Sequence, residues 1–168
     1  MNTYSGKTQK EKIEVSFWVK GKEGAYLSEE DLEWHIPELT KLEDLPGFII
    51  INSKTNNVQL SDDLDYIIPK LCFFSINSLV SNKSYNITRA SCSGSYEIRA
   101  DQEQVWISGT NIHQVVFQEE ELFKALYQCG SRFLEFLMRL SVDTDKFEGT
   151  INELEAAQTM AQKFIQEE

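Results

Sequence analysis

The stretch NIHQVVFQEEELFKALYQCGSRFLEFLMRL, Asn111 to Leu140, changes its hydrophobic period partway along, and that change decides the fold. Ile112 to Phe117 reads as a strand. From about Glu119 the period becomes helical, with Leu122, Leu126, Cys129, Phe133, Phe136, Leu137 and Leu140 on one stripe. Phe123, Tyr127, Leu134 and Met138 add a second stripe beside it. A helix apolar over so much of its circumference belongs at the centre of a domain, between a sheet and another helix. With Gln118 as the cap, Phe117 and Leu122 stand at the spacing of a hydrophobic staple. Gly130 in mid-helix costs about 1 kcal/mol relative to alanine, and predicts that another element comes close there.

Working outward from that helix, residues 84–89, 95–100, 104–108 and 112–117 read as successive strands. Asp101-Gln102-Glu103 and Gly109-Thr110-Asn111 are short connections of the kind that join antiparallel neighbours. The pattern is a meander, with no βαβ crossovers. Nearer the N-terminus, Ile13, Val15, Phe17 and Val19 alternate with polar or outward positions, the mark of a strand with one buried face. Asp44-Leu45-Pro46-Gly47 is turn chemistry before the β-branched run Phe48 to Ile51, and Val58 to Leu60 completes a hairpin. Ser28 is expected to cap a short helix opened by Glu29-Glu30-Asp31 and limited by Pro37. Ser61 is expected to cap a second helix holding Asp62, Asp63 and Asp65 in its first turn, with a kink or fresh start at Pro69. Thr150-Ile151-Asn152-Glu153 reads as the capping box of the last helix. The expected fold is α+β: an antiparallel meander sheet with helices packed mainly on one face, in a single domain over 1–168.

The totals bound the function. The chain has 168 residues, 41% hydrophobic and 11% aromatic, enough for a real core. No run of about 18 apolar residues offers a membrane span. The opening MNTYSGKTQKEKIEV lacks the apolar centre of a signal peptide, so a cytoplasmic location is expected and the sequons at Asn82 and Asn86 go unused. Cys72, Cys92 and Cys129 are odd in number and widely spaced, which predicts free thiols.

Chemistry-bearing patterns are few. His35 and His113 are the only histidines, and no nucleophile-elbow or glycine-rich turn accompanies any cysteine. No close Cys or His pair suits zinc, and Asp143 to Gly149 departs from a calcium loop at Phe147. Phosphate loops are absent, as is any interleaving of basic and aromatic residues. The expectation is a protein that is not an enzyme, with no cofactor and no metal.

Charge is the stronger signal. The net charge is −11. Residues 25–65 alone carry ten acidic and two basic groups, while 66–100 are net basic. Such an excess disfavours nucleic acid and anionic membranes as partners and favours a basic protein. The candidate partner-binding residues are therefore Glu29, Glu30, Asp31, Glu33, Glu43, Asp44, Asp62, Asp63 and Asp65, with Trp34 as an aromatic anchor beside them. Trp18 and Trp106 are alternative anchors. Each acidic cluster also has a local explanation, because negative charge is favoured at a helix start by roughly 0.3–1 kcal/mol per group. That explanation is strongest for Glu119-Glu120-Glu121.

The run SGSYEIRADQEQVWISGTNIHQVVFQEEELFKALYQCGSRFLEFLMRL, Ser93 to Leu140, resembles the strand–strand–strand–helix core of small bacterial immunity proteins. These neutralise the toxin domains of contact-dependent inhibition and related polymorphic toxin systems. The resemblance rests on short strands, an acidic helix start and a wide aromatic helix, without an invariant motif, so it transfers no functional residue. It implies a cytoplasmic antitoxin, acidic when its toxin is a basic nuclease, that binds the cognate toxin domain and occludes its active-site groove. Two other readings stand beside it: an acidic secretion chaperone holding an effector segment, and an enzyme of unrecognised type. The chaperone reading calls for an obligate dimer.

Overall fold

The computed structural model describes residues 10–165. The fold is α+β, built on two four-stranded antiparallel sheets where the meander alone predicts one. In the first, β2 (Tyr26–Ser28), β1 (Glu14–Lys20), β3 (Pro46–Asn52) and β4 (Asn57–Asp63) lie in that spatial order. The second is the expected meander of β5 (Ser84–Thr88), β6 (Ser95–Asp101), β7 (Gln104–Gly109) and β8 (Ile112–Gln118). Its tightest corner pairs Asp101 with Gln104, leaving Gln102 and Glu103 between them at φ 49° and 63°. Two consecutive left-handed residues match the twist of the flanking strands, which is why the hairpin accepts their cost.

Each sheet turns one alternating set of side chains inward: Val15, Phe17 and Val19 from β1, Ile49 and Ile51 from β3, Tyr96, Ile98 and Ala100 from β6. The central helix α4 (Glu119–Leu140) lies over both sheets, contacting β1 on one side and β7 and β8 on the other. Leu122, Leu126, Cys129, Phe133, Phe136, Leu137 and Leu140 are all buried, so the first predicted stripe is the core stripe. In the second, Phe123 and Leu134 are buried, but Met138 is 41% exposed. The staple residues Phe117 and Leu122 are both buried at the strand-to-helix corner. Gln118 does occupy the cap position but makes no capping bond; its Oε1 accepts from the Glu11 N–H at 2.7 Å.

Three expected helix starts move. Glu29 to Asp31 precede the first helix, which is a 3-10 turn over Leu32–His35 leading into α1 (Ile36–Leu39). Ser28 ends β2, and its hydroxyl donates to Asp31 Oδ2 at 3.1 Å. Likewise, β4 continues through Asp62 and Asp63, and α2 (Leu64–Ile68) begins only at Leu64. Pairing with β3 as far as Pro46↔Asp63 outweighs the local capping pattern at Ser61. The last helix, α5 (Glu148–Gln162), starts ahead of Thr150, with Phe147 as its cap residue. Buried Phe147 anchors that start, and its carbonyl accepts from Ile151 N at 2.8 Å.

A fresh start does occur at Pro69, which stands in the first turn of a new helical element. Residues Pro69–Phe74 form a π-helical segment that joins α2 to α3 (Ser75–Asn82). A proline lacks the N–H for the ordinary i−4 bond, and a locally wider turn absorbs that loss. This segment meets α4 at Gly130, where a Cβ would lie 2.6 Å from Phe73 Cζ and 2.9 Å from Cys72 Cβ. The close approach expected from the sequence is therefore real, and the π segment is its cause.

The two sheets are fastened where β4 meets the meander. The Tyr96 hydroxyl donates to the Ser61 carbonyl at 3.0 Å and accepts from its N–H at 3.1 Å. Asn56 Nδ2 donates to the Val116 carbonyl at 2.8 Å. These bonds satisfy backbone groups of edge strands that would otherwise invite pairing with another chain.

Candidate functional site

Because the backbone leaves β2 along the edge of β1, Glu29 is carried onto α4. Its Oε2 accepts from the Phe17 N–H at 3.3 Å, while Oε1 accepts from Arg132 Nε at 2.7 Å. Arg132 also donates through Nη2 to the Val15 carbonyl at 2.6 Å. Burial opposes the Arg132 charge, yet hydrogen bonding and attraction to Glu29 outweigh it and raise its pKa. Two helical turns further along α4, Arg139 pairs with Glu33 on the 3-10 turn.

Between these two ion pairs lies a cleft of about 590 Å³. Phe17, Leu32, Ile36 and Phe136 supply its apolar lining; Glu29, Glu30, Glu33, Glu135, Arg132 and Arg139 supply its charge. Phe17 packs edge-on against Phe133 with ring centroids 5.2 Å apart, so the floor rests directly on the core. Four carboxylates face two guanidiniums, and both guanidiniums are already committed to Glu29 and Glu33. Among the described residues, Glu30 and Glu135 have no ion-pair partner. Glu135 stands three residues after Arg132 and four before Arg139, but the fold directs both arginines elsewhere.

Trp34 follows Glu33 on the 3-10 turn and is 84% exposed. The other two tryptophans are not comparable. Trp18 stacks on Phe48, ring centroids 5.8 Å apart, and Tyr26 closes on Phe48 at 4.8 Å. Trp106 lies half-buried in β7, paired across from Val116. Both are engaged by their own sheets, so Trp34 is the most exposed of the three.

The acidic residues expected to act together fall into distinct settings. Glu29, Glu30 and Glu33 line the cleft, with Asp31 exposed between them. Asp62 takes a structural role: it is 3% exposed and accepts from the N–H groups of Ala90, Ser91 and Asp63, each at 2.9 Å. Burial works against its charge, but those bonds prevail and hold its pKa below the ordinary carboxylate value. Asp62 therefore ties β4 to the β5–β6 loop and is withdrawn from partner binding. Asp63 and Asp65 are raised, first by burial and then by repulsion from Asp44 and neighbouring aspartates. Asp65 Oδ1 is buried without a hydrogen-bond partner. Glu43 and Asp44 are exposed.

At the start of α4, the Glu119-Glu120-Glu121 run is answered by Lys124 and Lys10, whose nitrogens approach Glu120 to 3.3 and 3.9 Å. Glu120 and Glu121 are thus answered, whereas no ion pair reaches Glu119 among the described residues. Among the described residues no group of three or more His, Cys, Asp or Glu is placed to hold a metal ion. Cys72 and Cys129 are buried, and the Cys129 thiol is pushed far up by its hydrogen bond to Cys72 and then by burial. A thiol in that state is a poor nucleophile. His113 is exposed on β8, and His35 Nδ1 sits 3.7 Å from Glu38.

Comparison with protein-family models, with curated proteins and with solved structures finds no match. Among the described residues no helix is long and apolar enough to cross a membrane.

Glu135 is the cleft residue that the sequence reading passes over. Its signal is visible only in hindsight, as an acidic residue between two arginines on the polar side of a wide apolar helix. Nothing local says that both arginines would turn away from it.

Proposed function

We propose that this protein is an immunity protein that works by binding. It would act in the cytoplasm, engaging a basic nuclease toxin domain at the cleft between the 3-10 turn and α4, and covering the groove that otherwise holds phosphates. The observation that carries this reading is a cleft in which four carboxylates meet two guanidiniums, on a 3-10 turn whose Trp34, next in sequence to Glu33, is 84% exposed. Exposed aromatics beside charged groups are the usual anchors of tight interfaces, and the negative field would speed encounter with a basic partner.

The test is protection. The chain is co-expressed with candidate toxin domains, those of neighbouring reading frames first, and survival is scored. A Glu30→Lys, Trp34→Ala, Glu135→Lys variant, shown folded by circular dichroism, should lose protection. Full protection by that variant would end the reading. Reversal of Glu29 or Asp62 is not a clean test, because both hold the fold together.

A further inference from the structure

The outer edge of β1 is only half covered. β2 pairs with it in the register Trp18↔Ser28, Val19↔Leu27 and Lys20↔Tyr26, and stops there. Continued by one residue, that register would set Glu29 against Phe17. Instead the Asp31 N–H donates to the Ser28 carbonyl at 3.0 Å, and this turn lifts the backbone away. Among the described residues no strand lies beside β1 on that side between Glu14 and Phe17. A strand edge left in this way offers its N–H and C=O groups to another chain.

Two side chains stand where the missing strand would be. Glu29 Oε2 accepts from the Phe17 N–H at 3.3 Å, and Arg132 Nη2 donates to the Val15 carbonyl at 2.6 Å. These backbone groups flank Ser16, and a neighbouring strand would bring them the same acceptor and the same donor. The two side chains also hold each other, Nε to Oε1 at 2.7 Å, so a single ion pair fills both places. We propose that Glu29 and Arg132 are a plug on a latent strand-addition edge, which a second copy of this chain takes when the plug is removed.

Symmetry names the occupant. Antiparallel pairing of β1 with itself, about a twofold axis at Ser16, brings the Phe17 N–H of each copy to the Val15 carbonyl of the other. The two groups that the plug satisfies within one copy are therefore complementary between two copies. Val15 and Phe17 already have their side chains in the core, so this pairing asks only for their backbone. The plug itself is reached from solvent, its Arg132 and Glu29 side chains being 44% and 23% exposed.

The experiment uses the full chain with Cys92→Ser, which removes the exposed thiol, and Ser16→Cys as a reporter. In the symmetric pair the two copies of position 16 face each other without hydrogen bonds, about 4.5 Å apart at Cα, close enough for a disulfide. Treated with diamide, the Glu29→Ala, Arg132→Met variant in that background should form a reducible covalent dimer, while the chain with its plug intact should stay monomeric. Without the reporter, sedimentation in about 0.3 M salt, which screens the net charge of −11, should show the plug variant self-associating at least about tenfold more tightly than the parent. Asp62→Asn, which loosens the fold elsewhere, should associate no more than the parent. Should circular dichroism show the double variant unfolded, Arg132→Met alone, which removes the Val15 donor and leaves Glu29 in place, carries the same expectation. Association no tighter than the parent's, a dimer without a link at position 16, or equal association of Asp62→Asn would overturn the proposal. So would a parent already paired through position 16.

Discussion

Arg132 and Glu29 stand 103 positions apart in the chain and form a hydrogen-bonded ion pair, Nε to Oε1, at 2.7 Å. Through it the centre of α4 is tied to the chain leaving β2, and through the Val15 carbonyl to β1 as well. Removing the guanidinium in Arg132→Ala leaves the Glu29 carboxylate, itself part-buried, without its cation and the Val15 carbonyl without a donor. A loss of about 1–3 kcal/mol is expected in urea denaturation. Arg139→Ala should cost under about 1 kcal/mol, because the Glu33 pair is a solvent-exposed one. Equal losses would show that the Val15 and Phe17 contacts add nothing.

Asp62 predicts the acid limb of the stability curve. Its folded pKa lies below the ordinary aspartate value of 3.8, so its stabilisation is present above pH 3.8 and is lost as pH falls through the depressed folded value. Asp62→Asn should destabilise the protein at neutral pH by about 2–4 kcal/mol, since the amide cannot accept from three N–H groups as a carboxylate does. The gap between variant and parent should narrow below pH 3.8, as read from thermal melts across pH.

Asp65 predicts the opposite sign. Burial and the repulsion of Asp44 raise its folded pKa, so the stability linked to it is full below pH 3.8 and declines as pH rises through the raised value. Asp65→Asn should then melt higher than the parent at neutral pH, by less than about 1 kcal/mol of stability, with the advantage fading in acid. A lower melting temperature at neutral pH would mean that the ionised carboxylate gains more from nearby backbone N–H groups than burial and the Asp44 charge cost it.

Gly130→Ala sets helix propensity against space. Alanine gains about 1 kcal/mol in a helix interior, yet its Cβ would press on Phe73 at 2.6 Å and on Cys72 at 2.9 Å. Overpacking against a buried ring and the π segment should prevail, for a net loss of about 1–3 kcal/mol. A variant as stable as the parent would show that Phe73 can rotate away at little cost.

Much of the architecture is legible because it depends on period alone. The alternation in β1, β3 and β6 and the stripe of α4 each identify a buried face before any tertiary contact is known. Gly130 likewise announces a close approach, because a glycine in a strong helix has little local reason to exist. The helix starts are less legible. Ser28, Ser61 and Thr150 all carry the right local chemistry for a cap, but strand pairing or the burial of Phe147 sets the boundary. The hydrogen bonds of a strand with its neighbour outnumber the single bond that a cap can offer.

The candidate site divides in the same way. Composition alone shows that residues 25–65 carry an unbalanced negative charge, and that Trp34 lies among those charges. Which carboxylates remain available is settled only by long-range contacts: Arg132 and Arg139 arrive from a helix a hundred residues away to engage Glu29 and Glu33, while the Ala90 and Ser91 N–H groups claim Asp62. A charge pattern is written locally, because each carboxylate carries its charge wherever it lies. Its neutralisation is not, because that depends on which distant cations and N–H groups the packed core brings within about 3 Å. The sequence by itself thus determined the element types, the buried faces and the sign of the surface, whereas the tertiary structure alone decided that Glu30 and Glu135 stay without an ion-pair partner among the described residues and that Trp34 stays exposed.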